Sequence, residues 1–257
     1  MRWRPILLAA VLLGAFATPV NGDSAGTSDP ALTLTTLINH ERAARGLQPL
    51  RVDSRLVAIA GERATRLAAA GVLSHAVAGS IPEDLAVHAV RWFGYGEVIG
   101  YASGSLGGAG HTILGMWLAS PDHWPVLMSA RYNYLGVGLA SRSSSGVTYS
   151  SVVLTESPDR TGAWAAMAGA AVSGDDIRWS WRGADVPLQT HTAGLRDFTL
   201  QLRQDRGTWV TIGSGVTATA RSTLNRSRGH WYGLRVRARD QAGNSGAWSR
   251  EFRVWIP

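Results

Sequence analysis

The 257-residue chain contains no cysteine and no lysine. Without cysteine it has no disulfide framework, no thiolate metal site and no cysteine nucleophile, and a bacterial lipid anchor is excluded. All 25 basic residues are therefore arginines, which indicates a coding bias toward GC-rich codons. After the first two dozen residues, no segment approaches the ~20 consecutive apolar residues that a membrane-spanning helix needs.

The first residues have the pattern of a secretory signal. Arg2 and Arg4 precede an apolar run over residues 6–16, and Ala15 and Ala17 offer a small-x-small cleavage pattern. We therefore predict a signal peptide over residues 1–22 and a polar leader over 23–31. The alternative is an uncleaved N-terminal membrane anchor, for which the apolar run is short. The predicted location is secreted, either extracellular or associated with the cell wall.

The charge is unevenly distributed along the chain. Residues 23–160 carry 10 Arg and 11 Asp or Glu, whereas residues 161–257 carry 13 Arg and 7 acids, a net charge of +6. Such a basic segment is suited to an anionic surface such as cell-wall polymer or phospholipid, or it is simply a set of solvated strand faces. Export argues against a nucleic-acid partner.

Residues 32–156 combine helical and strand patterns. Apolar residues at helical spacing predict helices over 32–45 and 55–70, the second capped by Asp53 or Ser54 and stopped by Gly71. Residues 94–100 are a tight glycine-flanked segment, 103–110 a glycine-rich loop, and Pro121 is expected to open a helix. Strands are predicted over 134–141 and 147–155, and Gly136 and Gly138 suit a strand that another group approaches closely.

The remaining chain has an all-β pattern. Residues 157–171 are rich in Pro, Gly and Ala and are predicted to be a linker. Over residues 172–257, short apolar runs separated by turn signals every 8–12 residues predict a β-sandwich.

Five blocks in the first segment carry a family resemblance. In chain order they are Leu37-Ile38-Asn39-x-Glu41-Arg42, Ser74-His75, Gly96-Glu97, Trp117-x-x-Ser120-Pro121-x-His123 and Tyr134-x-Gly136-Val137-Gly138. With this order and spacing, the segment resembles the CAP superfamily of cysteine-rich secretory, antigen 5 and pathogenesis-related proteins, and in particular its bacterial secreted branch. The resemblance implies an α-β-α sandwich with a cleft in which His75, Glu97 and His123 converge.

The resemblance also implies that these three residues can take a divalent cation. Two imidazoles and a carboxylate form a ligand set typical of catalytic zinc, with Glu97 as the candidate general base. The alternative is a polar network in which both histidines bond to Glu97 and stiffen the cleft. Val98 and Trp124 depart from the residues usual in relatives.

The tail resembles a fibronectin type III or immunoglobulin-like domain. The resemblance rests on Trp179-x-Trp181, on the alternating segment from Tyr232 to Asp240, and on Ala242-Gly243-Asn244-x-Gly246-x-Trp248. Tyr232 stands where such folds place a corner tyrosine. The expected fold class is therefore α+β: a CAP-like α-β-α sandwich followed by an all-β sandwich.

Three functional hypotheses follow. The first is an extracellular binding protein whose cleft, with His75, Glu97 and His123, accepts a hydrophobic or peptide-like ligand such as a lipid, a peptide or a cell-wall polymer. The second is a divalent-metal hydrolase of cell-wall or protein substrates; no credible nucleophile is present for a serine hydrolase. The third places the function in the basic sandwich of residues 171–257.

Overall fold

The structure, a computed structural model, describes residues 29–104 and 106–257. The predicted signal peptide and most of the predicted leader lie outside the described residues. Among the described residues, no helix is long and apolar enough to cross a membrane.

The first domain combines six helices and four strands among the residues that the structure describes. In chain order its elements are α1 (Pro30–Ala43), β1 (Arg51–Val52), α2 (Ser54–Ala70), α3 (His75–Ala78), α4 (Ile81–Val87), β2 (Gly94–Ser103), α5 (Leu106–Leu118), α6 (Trp124–Leu127), β3 (Tyr134–Arg142) and β4 (Val147–Glu156). The strands form one sheet in the order β1-β3-β4-β2, in which β1 is parallel to β3 and the other pairs are antiparallel.

Helices cover both faces of this sheet. Val152 and Leu154 of β4 pack with residues of α1 and α5, whereas Val153 between them packs with Leu56 and Ile59 of α2. Successive side chains of a strand point to opposite faces, so each face contributes to a separate core. The predicted α-β-α sandwich is confirmed.

The ends of α2 follow from its sequence. The Asp53 side chain accepts a hydrogen bond from the Arg55 backbone N–H at 3.0 Å, and Gly71 ends the helix with a φ of 70°. An aspartate cap satisfies a free N–H of the first turn, and glycine adopts the left-handed conformation at little cost. Both features match the sequence prediction.

Gly136 and Gly138 let α2 lie directly on β3. A Cβ atom added to Gly136 would be 2.0 Å from the Leu56 carbonyl carbon, and one on Gly138 would be 2.2 Å from that of Ala60. The backbone of α2 therefore occupies the space that side chains at these two positions would take. This close approach was predicted from the two glycines.

Two local predictions were wrong, and one strand was not predicted. Residues 94–100 belong to a regular strand, β2, at the edge of the sheet, since pairing with β4 outweighs the low strand propensity of glycine. Helix α5 begins at Leu106, inside the predicted glycine-rich loop, because Ala109, Ile113 and Trp117 are buried at a spacing of four. The helix expected at Pro121 begins at Trp124, since Pro125 rather than Pro121 lies in its first turn.

The second domain is a two-sheet sandwich. Its strands are β5 (Trp164–Ser173), β6 (Asp176–Ala184), β7 (Leu195–Gln204), β8 (Val210–Val216), β9 (Ala220–Thr223), β10 (His230–Asp240) and β11 (Phe252–Ile256). One sheet has the order β5-β6-β9 and the other the order β11-β10-β7-β8.

The predicted linker over residues 157–171 is too long. Its second half is the start of β5, which pairs with β6 from Trp164 to Ser173. The alanines and glycines of this strand have weak strand propensity, so no strand was predicted here, but Ala165, Met167 and Ala170 pack against the sandwich core.

The sandwich core contains Trp179 and Trp181, which are 0% and 2% exposed. Tyr232 is also buried, and its hydroxyl donates to the Ser227 backbone carbonyl at 3.2 Å, five residues upstream. A tyrosine that bonds back to the preceding backbone in this way fixes the corner between two strands.

The loop over residues 185–194 joins the second domain to the first. Leu188 is 5% exposed and packs in the core under α2. Gln189 accepts from the Gln48 backbone N–H at 2.8 Å, and the Asn133 side-chain amide donates to the Thr190 carbonyl at 3.1 Å. The loop, which we call the junction loop, therefore contributes both apolar and polar contacts to the first domain.

Candidate ligand-binding site

Glu97 is the centre of a buried polar cluster. It lies on β2, and the Arg63 guanidinium of α2 donates to both of its oxygens, at 2.6 and 2.8 Å. The Ser151 hydroxyl donates to Oε1, and His75 Nδ1 lies 2.7 Å from Oε2. The side chains of Arg63 and Glu97 are only 1% and 2% exposed, so this ion pair is shielded from water.

The electrostatics of the cluster keep Glu97 ionised. Burial by itself would raise the pKa of the Glu97 carboxyl, but hydrogen bonds from Arg63, His75 and Ser151 and the Arg63 charge outweigh burial and lower this pKa below its ordinary value. Glu97 therefore remains an acceptor. It does not have the raised pKa that would make a general base near neutral pH.

His75 is oriented by this carboxylate. An ionised carboxylate can only accept, so His75 donates from Nδ1. Its side chain is 59% exposed. His75 is thus held at the surface by a buried anion that is itself fixed by Arg63.

Arg63 is anchored on its other side as well. Its NH1 donates to the Asp84 carboxylate at 2.7 Å and to the Gly79 carbonyl at 3.1 Å. Arg66 donates to the other Asp84 oxygen at 2.8 Å. The segment that carries His75 is therefore tied to α2 through arginine side chains.

His123 lies in a second group of contacts. Its Nδ1 is 2.8 Å from the Ser120 hydroxyl oxygen, which also lies 3.4 Å from the backbone nitrogens of Asp122 and His123. The serine holds the turn and the imidazole together. The pair forms one wall of a cavity of about 370 Å³.

The cavity lies beside the edge strand β2, and most of its lining is apolar. The lining residues are Leu73, Ile99, Gly100, Tyr101, Met116, Trp117, Ser120 and His123. Trp117 is fixed there by a hydrogen bond from its indole N–H to the Ile99 carbonyl at 2.8 Å. Leu73 and Ile99 each stand two residues from a member of the buried cluster, His75 and Glu97 respectively.

The family model of the cysteine-rich secretory proteins, called CAP, matches residues 35–154. This segment is a CAP domain. The match covers the whole sheet of the first domain except the last two residues of β4 and includes every residue of the polar cluster and of the cavity.

Solved structures show similarities to each half of the chain. A cysteine-rich secretory protein of Staphylococcus aureus is 19% identical over 52% of this chain and 40% of its own, with a TM-score of 0.42. An outer surface protein of Borrelia burgdorferi is 19% identical over 53% of this chain and 98% of its own, with a TM-score of 0.45. A human fibronectin type III domain is 20% identical over 40% of this chain and 84% of its own, with a TM-score of 0.33.

This chain thus spans about two fifths of the length of the Staphylococcus aureus protein. No curated protein matches the sequence.

The geometry of the CAP domain does not fit a metal ion held by His75, Glu97 and His123 together. A carboxylate offers about four lone-pair sites, and Glu97 already accepts two hydrogen bonds from Arg63, one from Ser151 and one from His75. His75 meets Glu97, whereas His123 Nδ1 is engaged with Ser120.

Among the described residues, one group of three carboxylates or imidazoles has all its ligand atoms within 4.8 Å, and it consists of Asp159, Asp185 and Asp240. His75, Glu97 and His123 do not form such a group, so their ligand atoms do not all lie within 4.8 Å of one another.

Sequence reasoning assigned no role to Arg63 or Ser151. Arg63 does have a signal in the sequence: it occupies the buried stripe of α2, four residues after Ile59 and four before Leu67, where a charged side chain requires a partner. Ser151 has none, because a serine in a buried strand is compatible with many roles.

Proposed function

We propose that this protein is an extracellular binding protein whose CAP domain accepts a hydrophobic or peptide-like ligand. The observation that carries the proposal is the cavity beside β2, with its apolar walls and the single polar pair of Ser120 and His123. Ligand sites of this kind combine mostly apolar lining with a few oriented polar groups. Tyr101, which is 50% exposed, supplies flat apolar surface for a chain or a side chain.

The alternative is hydrolysis assisted by a divalent metal such as Zn²⁺. That reaction requires Glu97 to act as a base or as a ligand, and Glu97 would have to release Arg63 or Ser151 to do so. Its lowered pKa also makes it a weak base. Binding is therefore the function that this geometry favours.

An extracellular location is part of the proposal. It is supported by the signal-like pattern of the first residues and by the name of the matching family, which describes secretory proteins. Expression of the full chain in a bacterial host, with mass analysis of the protein in the medium, tests this part. Recovery of a chain that lacks about the first 22 residues supports export; retention of the intact chain in the cell contradicts it.

The cavity is tested with a fluorescent fatty acid, cis-parinaric acid, titrated against the wild type and two variants. Met116→Asp places a charge in the cavity wall, whereas Val87→Asp places the same charge at an 83% exposed position on α4. Since an unpaired charge opposes apolar burial, we expect Met116→Asp to bind at least ~10-fold more weakly.

Val87→Asp is expected to match the wild type. Equal affinity of both variants, or no binding to the wild type, would contradict the assignment of the cavity as a site for hydrophobic ligands.

A further inference from the structure

The outer face of the four-stranded sheet in the second domain combines arginines with tryptophans. On β10, Leu234, Val236 and Ala238 are fully buried, so the residues between them and after them, Arg235, Arg237 and Arg239, point away from the core. Strand register and ring contacts place five more residues of the neighbouring strands and segments on the same side: Arg203, Arg253, Trp209, Trp248 and Trp255.

Guanidinium and indole groups alternate across this face. Arg203 lies over the Trp209 ring at 4.5 Å, and Arg235 lies over Trp209 at 4.3 Å and over Trp248 at 4.7 Å. Arg237 lies over Trp248 at 4.8 Å. We call these five residues the arginine–tryptophan ladder. Each contact is favourable because the cation meets the negative face of the ring.

A second aromatic group lies at the β11 edge of the sheet. Trp231 and Trp255 are 44% and 43% exposed, their ring centroids are 5.7 Å apart, and Arg253 lies over Trp231 at 5.2 Å. Exposed apolar residues that are scattered singly are ordinary, whereas a cluster of them marks a contact site.

The face has an excess of positive charge. Three acids lie among its five arginines: Asp197 pairs with Arg239, Glu251 with Arg203 and Arg253, and Asp205 lies near Trp231. Within the described part of the chain, neither Arg235 nor Arg237 has a carboxylate partner, and the Arg235 guanidinium donates only to the Gln201 amide oxygen. These two central guanidinium groups therefore retain uncompensated charge.

We propose that this face binds an acidic polysaccharide. Guanidinium groups hydrogen-bond carboxylates through two parallel N–H donors, and exposed indoles pack against the apolar faces of sugar rings. The two indoles of the ladder already have guanidinium groups over them, so the ring surface left for packing against a ligand lies mainly on the Trp231–Trp255 pair. Two rings offer a short platform compared with the series of stacked bases that single-stranded nucleic acid binding uses. A polymer of sugar acids matches both the free guanidinium edges and the exposed Trp231–Trp255 pair.

Affinity electrophoresis of the full chain in gels that contain polygalacturonate tests the proposal, with neutral dextran as the reference polymer. The variant Arg235→Gln/Arg237→Gln removes the two unpaired charges of the ladder. Its matched control, Arg178→Gln/Arg182→Gln, removes two exposed arginines from β6 in the other sheet and changes the net charge equally.

We expect polygalacturonate, but not dextran, to retard the wild type and the control. The ladder variant should bind at least ~10-fold more weakly, as truncation of central arginines at an interface commonly does. An equal loss in the control would overturn the proposal in favour of unspecific charge attraction. No retardation of the wild type would also overturn it, as would stronger competition by a polyphosphate or a single-stranded oligonucleotide.

Folding of each variant is checked by circular dichroism. If the ladder variant does not fold, Trp255→Thr supplies the test, since it removes an exposed ring outside the ladder and keeps a residue suited to a strand. The polysaccharide site is independent of the cavity in the CAP domain, so parinaric acid binding is expected to be the same in all these variants.

Discussion

Glu97 is an anion with almost no access to water, and the Arg63 guanidinium compensates its charge. Replacement by glutamine keeps the shape but removes the charge that compensates the buried guanidinium. Loss of one partner of a buried pair costs about 3–5 kcal/mol, and we expect the lower end because Arg63 keeps Asp84. The free energy of unfolding of Glu97→Gln, measured in urea, checks this value.

The control for this substitution is Glu41→Gln. Glu41 pairs with Arg45 on the surface of α1, so its loss should cost at most about 0.5 kcal/mol. If both substitutions had the same small effect, the buried ion pair would not be a source of stability.

Glu97 also predicts a pH dependence. Its pKa is lower in the folded protein than the ordinary value of 4.5, so its contribution to stability is fully present above that pH. The contribution is lost as the pH falls through the folded pKa, where the carboxyl is protonated. We expect the wild type to lose more stability than Glu97→Gln between pH 5 and acid conditions, as measured by urea unfolding at each pH. Parallel profiles of the two proteins would contradict this.

At the scale of elements, the contact between α2 and β3 depends on glycine. A methyl group at Gly138 would overlap the Ala60 carbonyl carbon at 2.2 Å, and the helix would have to move. Overpacking of this kind costs about 1–3 kcal/mol or more, so Gly138→Ala should lower the free energy of unfolding by at least that amount. Denaturant titration measures it.

Gly61→Ala, on the helix α2 that packs against β3, is expected to have the opposite effect on stability. No atom lies within 4 Å of a Cβ at Gly61, and alanine is the better helix former by about 1 kcal/mol. This variant should be more stable than the wild type. Stabilisation by both substitutions would show that α2 and β3 are not in backbone contact.

These elements also show what the sequence could predict. Helix α2 has a cap, an apolar stripe and a terminal glycine, and all three are local, so its limits were predicted within one residue. Strand β5 is rich in alanine, which is a poor strand former, and the first turn of α5 contains two glycines, which are poor helix formers. Both are fixed by long-range pairing and packing, which a single sequence does not reveal.

The candidate site was predicted in part for the same reason. Family resemblance indicated His75, Glu97 and His123, and the first two meet at 2.7 Å. The hydrogen bonds from Arg63 and Ser151 to Glu97 depend on how α2 packs on the sheet and on the register between β4 and β2. Local sequence patterns carry no information on this packing or this register.

At the scale of the whole molecule, the junction loop predicts cooperative unfolding. Leu188 packs with residues of the first domain although it belongs to the second. We therefore expect one calorimetric transition for the wild type, and a separation into two for Leu188→Asp, because a buried charge would expel the loop.

Leu224→Asp is the control for the junction loop, since Leu224 is 55% exposed on the second domain. It should leave the single transition in place. Two transitions in the wild type would mean that the junction loop does not couple the domains.

The junction loop also determines how the molecule would carry mechanical load. A force that pulls the two domains apart would act on the connecting segment around Ser157. The junction loop would bear part of the same force. The Asn133 side-chain amide donates to the Ser157 carbonyl at 2.7 Å and to the Thr190 carbonyl at 3.1 Å. The connecting segment and the junction loop are therefore bound to the first domain by the same side chain. The tension would be shared between the segment around Ser157 and the junction loop. The connection between the domains would therefore be stiff and would extend little under load.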